Sequence, residues 1–225
     1  MTTDTPKIRQ AEPTDTKKMS PLFASSFHPV SPYIKRAMPD TPVVEAWWEA
    51  IHNYSVTSPD ISIHVVTCAD EIVALGRWRF SSPTWDTEPI EGSQPDSENS
   101  NLAFTGDTSA GTWSLFGFSP DHDEEMCKSM IDFLGVTRKS YMSGRAHVLL
   151  ELVLCAHEYK GVGAGRMLVE QCVREADERG LKIFVETNGP IVKFYEKFGF
   201  EVKERLVMPG GYGYEEIILV RPAKK

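Results

Sequence analysis

Apolar and polar positions change their rhythm several times along this 225-residue chain, and the changes mark out its elements. Residues 7–12 read as a first strand, and "TDTKKMSPLFASSF" opens as a helix with Thr14 or Asp15 as its cap. The next stretch, Ser31 to Ser55, is helical in parts, broken near Pro39 and Pro42 and restarting around Val43 to His52. Two β-prone runs, "ISIHVVTCA" and "EIVALGRWRFS", joined at Ala69-Asp70-Glu71, predict a hairpin. From Ser81 to Thr112 hydrophobic residues thin out among Pro, Ser, Gly, Asn and Thr. The charges there are all acidic: Asp86, Glu88, Glu91, Asp96, Glu98 and Asp107. That texture predicts a long acidic loop, either a solvated insertion or a lid over an acceptor site.

Periodicity returns with "SPDHDEEMCKSMIDFLGVTRKSYM", a helix with Ser119 ahead of an acidic first turn. "RAHVLLELVLCA" is almost continuously apolar, as expected of a central strand covered on both faces. Leu168, Val169, Cys172, Val173 and Ala176 then recur at helical spacing up to Gly180. "LKIFVET" reads as a strand and "NGPIVKFYEKFGF" as a short helix, with Asn188 or Gly189 at its cap and Gly199 as its stop. Two runs flanking Pro209-Gly210-Gly211 close the chain as a β-hairpin. No internal repeat interrupts this order.

Composition narrows the functional classes. A formal net charge of −8 argues against nucleic acid or an anionic membrane as the main partner, and is compatible with a cationic one such as an amine. No apolar run approaches the roughly 18 residues that span a bilayer. "MTTDTPKIRQAEP" carries no hydrophobic signal core, so the expected setting is cytoplasmic. Cys68, Cys127, Cys155 and Cys172 show no CxxC spacing and are read as free thiols. The glycosylation-like Asn53-Tyr54-Ser55 is a chance match in that setting. The six histidines lie far apart, which argues against a metal site.

Two features carry chemistry. Glu151 is the lone acid in the apolar strand, and burying an ionised carboxylate is costly unless it meets a polar site or a partner. Directly after that strand, "EYKGVGAGR" turns into a helix. Glycines there let main-chain N–H groups converge on one point, and the helix N-terminus adds positive potential, a combination suited to phosphate. A dinucleotide fingerprint would place the turn in a first βαβ unit, and a P-loop would need Gly-Lys-Ser/Thr. Neither fits.

The arrangement resembles the GNAT superfamily of acetyl-CoA-dependent N-acetyltransferases. The family's cofactor motif runs Gln or Arg, two residues, Gly, one residue, then Gly or Ala. Lys160-Gly161-Val162-Gly163-Ala164-Gly165 follows it, with Lys160 in the first position and His157 where proline is common. Asn188, Tyr195, Gly199 and Phe200 fall in register with a second family motif, with Ile191 replacing a small residue. Ile8, Arg9, Ala11 and Asp15 are similar to many family N-termini. The resemblance covers Lys7–Phe80 loosely and Ala146–Val220 well, and leaves Ser81–Met142 without a counterpart.

That resemblance implies one α/β (α+β) domain over residues 1–225. Its mixed, mostly antiparallel sheet is flanked by helices, with an acidic loop and helix inserted at about 81–142. It implies acetyl-CoA as cosubstrate, no metal, and acetyl transfer to a primary amine by direct attack in a ternary complex. Glu151 would be the general base; the competing reading has it pair with a nearby cation or face a solvent pocket. Tyr195 would protonate the departing thiolate, or else simply fill the core beside Phe194 and Phe198. Cofactor contacts would come from the main chain of Val153, Leu154 and Cys155, from the turn Lys160, Gly161, Val162, Gly163, Ala164, Gly165 and Arg166, and from Tyr195. Asn188 either binds the cofactor arm or caps its helix. Cys155 is read as a packing residue, and the five tryptophans as core and rim aromatics. The acceptor is expected to be a small amine, with a peptide or protein amine as the alternative. A catalytically weak acyl-CoA-binding regulator on the same fold is the other reading.

Overall fold

The computed structural model describes residues 5–83, 111–142, 144–210 and 213–224. The acidic charges between Asp86 and Asp107, and Trp85, lie outside the described residues. The ends of that segment do not: Ser81 closes a strand, and Gly111–Leu115 is a largely buried 3-10 turn.

Seven strands form one sheet in the order β1-β2-β3-β4-β5-β7-β6. They are β1 (Lys7–Gln10), β2 (Ile61–Cys68), β3 (Glu71–Ser81), β4 (His147–Cys155), β5 (Lys182–Thr187), β6 (Glu201–Val207) and β7 (Glu215–Arg221). Only β4 and β5 run parallel; the other pairs are antiparallel. The β2–β3 hairpin turns at Ala69 and Asp70, both at positive φ (49° and 65°), the geometry that matches strand twist in a two-residue loop.

Helices cover both faces. On one lie α1 (Thr16–Met19), α2 (Leu22–Phe27), α3 (Pro32–Ala37), α4 (Pro42–Thr57) and α5 (Glu124–Met142). Their apolar side chains join Ile63, Val65, Leu75, Leu152 and Leu154 in the largest core. Met142 of α5 joins Leu149, Phe184 and Ile218 in another core. On the opposite face α6 (Ala164–Glu178) and α7 (Val192–Glu196) pack on Trp78, Val148, Leu150 and Val185. The predicted break at Pro39–Pro42 is real: Ser31 and Thr41 cap α3 and α4 by accepting the N–H groups of Ile34 and Val44, each with a proline just inside. Two expected caps differ. Asp15 gives its carboxylate to Arg9 and the Glu12 N–H, and makes no cap on α1. Ser119 engages His122, while Asp123 accepts the Met126 N–H and starts α5.

The continuous apolarity of β4 hides a bulge. Trp78 pairs with Leu150 and Arg77 with Leu152, so Glu151 is an extra residue on its strand. The extra residue inverts the alternation: Val148 and Leu150 face α6, whereas Leu152 and Leu154 face α2 and α4. Beside the bulge β4 leaves β5. Their ladder holds only from His147–Leu149 against Lys182–Phe184, and past it the two strands diverge.

The seating of α6 beside this opening depends on Gly76 in β3. A Cβ there would meet Leu168 Cδ2 at 3.0 Å, Trp78 Cζ3 at 3.1 Å and Leu168 Cβ at 3.2 Å. Gly76→Ala should therefore overpack the interface and destabilise the fold by about 1–3 kcal/mol. Urea unfolding of the variant against the parent protein measures this; equal stability would mean that α6 can ride outward freely.

Candidate active site

The gap between β4 and β5 opens into a cavity of about 520 Å³. At one end stands the glycine turn. Gly161 and Gly163 have φ of +91° and +92°, and neither would present a Cβ with any neighbour within 4 Å. Gly163 occupies the cap position of α6 in the left-handed region and offers no side chain to the first turn. The N–H groups of Ala164, Gly165 and Arg166 thus start a 15-residue helix without intrahelical acceptors. Lys160 stands beside them, Arg166 is paired with Glu170 at 2.8 Å, and the free N–H groups of the helix start suit this end of the cavity to an anion.

The gap also frees main-chain donors. The Ala156 N–H bonds back to Val73 O on β3, so strand alternation turns those of Leu154 and Leu152 the same way and those of Val153 and Cys155 toward the opening. Cys155 spends its N–H on Ser26 Oγ at 3.3 Å, leaving Val153. Burial pushes the Cys155 thiol up, with Lys160 working against the shift, so the group is poorly suited to act as a thiolate.

Glu151 meets the cavity boundary with a fully engaged carboxylate. Oε2 accepts Arg77 Nε at 2.8 Å; Oε1 accepts the Thr112 N–H at 2.8 Å and Thr112 Oγ1 at 2.9 Å. Arg79 Nε lies 3.6 Å from Oε1. The side chain is 1% exposed and that of Arg77 0%, so what accessibility Glu151 retains belongs to its main chain. Burial lowers the Arg77 guanidinium, and the charge of Glu151 offsets this. Gly111 completes the cage: its φ is +86°, and a Cβ there would sit 2.5 Å from Glu151 Oε1. Of the two readings of Glu151 from sequence, ion pairing with a cation is the one seen in the geometry.

Tyr195, on α7, is 5% exposed and lines the cavity while packing edge-on to Phe194 and Phe200, each with centroids 5.3 Å away. Burial pushes its phenol up, so it stays protonated across the physiological range. Asn188 makes no capping bond; its Oδ1 is buried without a partner at the cavity wall. Val153, Cys155, Lys160, Gly161, Gly163, Ala164, Gly165, Arg166, Asn188 and Tyr195 all line the cavity. Leu154 and Val162 do not: Leu154 is wholly buried in the α2–α4 core, and the Val162 side chain points into solvent.

Two acids that the sequence reading passed over also line this space, Glu186 on β5 and Glu216 on β7. Glu186 lies opposite Ile218 in the ladder, and Glu216 is two residues before Ile218, so both point to the α5 side of the sheet. Burial pushes Glu186 up to about 7, with Arg138 working against the rise. Burial pushes Glu216 up to about 8, its bond from Tyr214 opposing and the charge of Glu186 reinforcing that rise. Tyr214 Oη donates to Glu216 Oε1 at 2.9 Å, and Oε2 is buried with no partner. A signal like the one that singled out Glu151 is also present: one acid in "KIFVET" and two, Glu215 and Glu216, at the head of "YEEIILV". Among the described residues, no cluster of His, Cys, Asp and Glu could hold a metal ion, and no helix is long and apolar enough to cross a membrane.

The whole fold is shared with solved acetyltransferases at low sequence identity. An agmatine N-acetyltransferase superposes with a TM-score of 0.63 at 12% identity, over 96% of this chain and 99% of the other. A polyamine N-acetyltransferase from Drosophila melanogaster gives 0.61 at 13%, over 96% and 98%. The ribosomal-protein-S18-alanine N-acetyltransferase from Escherichia coli gives 0.52 at 13%, over 98% and 95%. No curated protein sequence is significantly similar to the chain. The model of the acetyltransferase (GNAT) family matches residues 84–200, and so takes in the segment after β3 that the motif reading left without a counterpart. Because that match spans more than half of the chain, and the fold and the strand opening agree with it, this protein belongs to the GNAT family of acetyltransferases.

Proposed function

We propose that the protein is an N-acetyltransferase that moves an acetyl group from acetyl-CoA to a primary amine in one step within a ternary complex. The observation that carries this reading is the parting of β4 from β5 directly beside the glycine-rich N-terminus of α6. A pyrophosphate fits the N–H groups from Gly161 to Arg166, and a pantetheine arm can run from there into the gap between the strands. Asn188 and the Val153 N–H lie along that path, and the Val153 N–H is aimed where a thioester oxygen would need a donor as negative charge develops. The acetyl group would then reach the middle of the cavity, between Tyr195 and the acids of β5 and β7.

In this reading the amine lone pair attacks the thioester carbon, the C–N bond forms and the C–S bond breaks. The leaving thiolate takes its proton from Tyr195. The raised phenol makes that transfer uphill unless it is concerted with loss of the amine's second proton. A cysteine relay is disfavoured by the half-buried Cys155 thiol, which burial raises and which has no His–acid partner pair among the described residues. Glu151 is given a positioning role: its charge holds Arg77 and Thr112, and through them the bulge that aims Val153. That the solved agmatine and polyamine enzymes share this fold supports an amine acceptor.

Cofactor binding tests the first part. Gly163→Asp places a negative charge at the open turn and should abolish coenzyme A binding in calorimetry. Gly163→Ala, equally strained at positive φ but uncharged, should retain most of it. Unchanged affinity in a folded Gly163→Asp protein would move the pyrophosphate elsewhere.

For Tyr195, replacement by Phe keeps the ring packing and removes the donor. Turnover should fall about 10–10³-fold while melting temperature and acetyl-CoA affinity hold. Full activity would return Tyr195 to a packing role.

Glu151→Gln leaves Arg77 buried without its counter-charge, so the fold should lose about 3–5 kcal/mol by denaturant titration. Activity per folded molecule should drop by one factor at every pH. A loss that shrinks at high pH would instead return the general-base role to Glu151.

A further inference from the structure

Beyond the row of acids, the cavity wall is apolar. Phe23 and Phe27 of α2, Ile34 of α3, Trp113, and Met130 and Leu134 of α5 line it. Among the described lining residues the acids are Glu151, Glu186 and Glu216; Glu151 is paired with Arg77, and the charge of Arg138 acts on Glu186. Glu216 is 8% exposed, and its Oε2 is buried in the lining with no hydrogen-bond partner among the described residues. Such an oxygen is costly unless a donor arrives. A primary ammonium brings three donors and a charge, and would sit between the two carboxylates within reach of the thioester end of the strand gap.

We propose that the Glu186–Glu216 carboxylate pair receives the acceptor's ammonium group and takes its proton, and that the acceptor is a small primary amine with an apolar, aryl or alkyl tail. This rests on the N-acetyltransferase reading above. The tail follows from the described walls: a second ammonium, as in a polyamine, would be desolvated against Phe23, Phe27 and Leu134, and the described lining offers it no further acid there. An aromatic tail can instead pack on Trp113 and Phe27. In the transfer, one proton of the ammonium passes to the pair and on to water. The freed amine forms the C–N bond, the C–S bond breaks, and the second proton replaces the one Tyr195 gives to sulfur. The products are the amide and coenzyme A.

The charged and titratable groups facing the pair are Arg138 from α5, Glu151 from β4, Tyr33 from α3, Tyr195 from α7 and Tyr214 just before β7. Burial keeps the tyrosines protonated, and it brings the titration of the pair up toward neutrality. The consequence for stability has a definite sign. Carboxyls raised above their unfolded value of about 4.3 keep their protons longer when folded, so the folded state loses stability as pH rises from there to about 8.

The test compares 2-phenylethylamine, spermidine and a short peptide with a free N-terminus as acceptors for the full chain, with acetyl-CoA affinity measured on the same preparation. 2-Phenylethylamine should have a kcat/KM at least about tenfold above the other two, the lower end of what an apolar pocket discriminates. Glu216→Gln and, separately, Glu186→Gln should raise its KM at least tenfold, flatten the rise of kcat/KM between pH 6 and 8, and leave acetyl-CoA affinity within twofold. Each variant should also melt higher than the parent at pH 8.5 and equally at pH 5. Preference for spermidine or the peptide, or an unchanged KM and pH profile in both variants, overturns this assignment while acetyl-CoA binding stands. Absence of acetyl-CoA binding overturns it together with the reading beneath it.

Discussion

The contact between Glu151 and Arg77 is the constraint on which the site is built. Both side chains are sealed from solvent, and isolated charges there would be prohibitive. Paired, they lock the residue at which β4 gains its extra position. That position inverts the faces of the strand and coincides with its departure from β5. Thr112 closes the cage from the 3-10 turn at Gly111–Leu115, and Gly111 lets it come close enough. One ion pair thus ties together three stretches distant in sequence: β3, β4 and the 3-10 turn at Gly111–Leu115.

The divergence it stabilises creates both ends of the cavity. Main-chain donors that would have bonded to β5 are left pointing into the opening, and the next residues in the chain supply a helix N-terminus without a side-chain cap. The same divergence exposes acids on the α5 face. Glu151, Glu186 and Glu216 each stand two residues from an apolar partner in one core cluster, Leu149, Phe184 and Ile218 respectively. They are one row on adjacent strands. Arg77 neutralises the first; the other two keep raised carboxyls facing the space. The cavity is polarised along its length, with cationic and N–H groups at the turn and carboxylates beyond the middle, an arrangement that keeps a polyanionic cofactor and a cationic acceptor from exchanging ends.

What could be read from the sequence divides along physical lines. Strand and helix order followed periodicity and turn residues, and the glycine turn announced itself because its backbone requirement is written in its residue types. The Ala69-Asp70 hairpin and the caps at Ser31 and Thr41 are equally local. The β4 bulge was invisible, since a strand apolar on both faces shows no alternation to interrupt. Glu151 was correctly singled out as an acid needing a reason, but the reason, Arg77, lies 74 residues earlier. Glu186 and Glu216 carried the same mark in weaker form, and nothing local tells which of three buried acids will find a cation. The side chain of Leu154 was equally unreadable, because the added residue turns it into the α2–α4 core.

These acids show how a fold divides the cost of buried charge. A carboxylate given an arginine becomes part of the framework, with both oxygens engaged by Arg77 and Thr112. A carboxyl left with a tyrosine hydroxyl on one oxygen and nothing on the other holds a proton until near neutrality and has a standing deficit that only an incoming donor can relieve. The framework acid must be ionised for β4 to hold its shape; the facing pair must be able to gain and lose protons for an amine to be captured and released. Placing the arginine on β3, beneath Glu151 and away from β5 and β7, lets both conditions hold in one row of side chains. The geometry that opens the sheet thereby also decides which of its acids remain free to do chemistry.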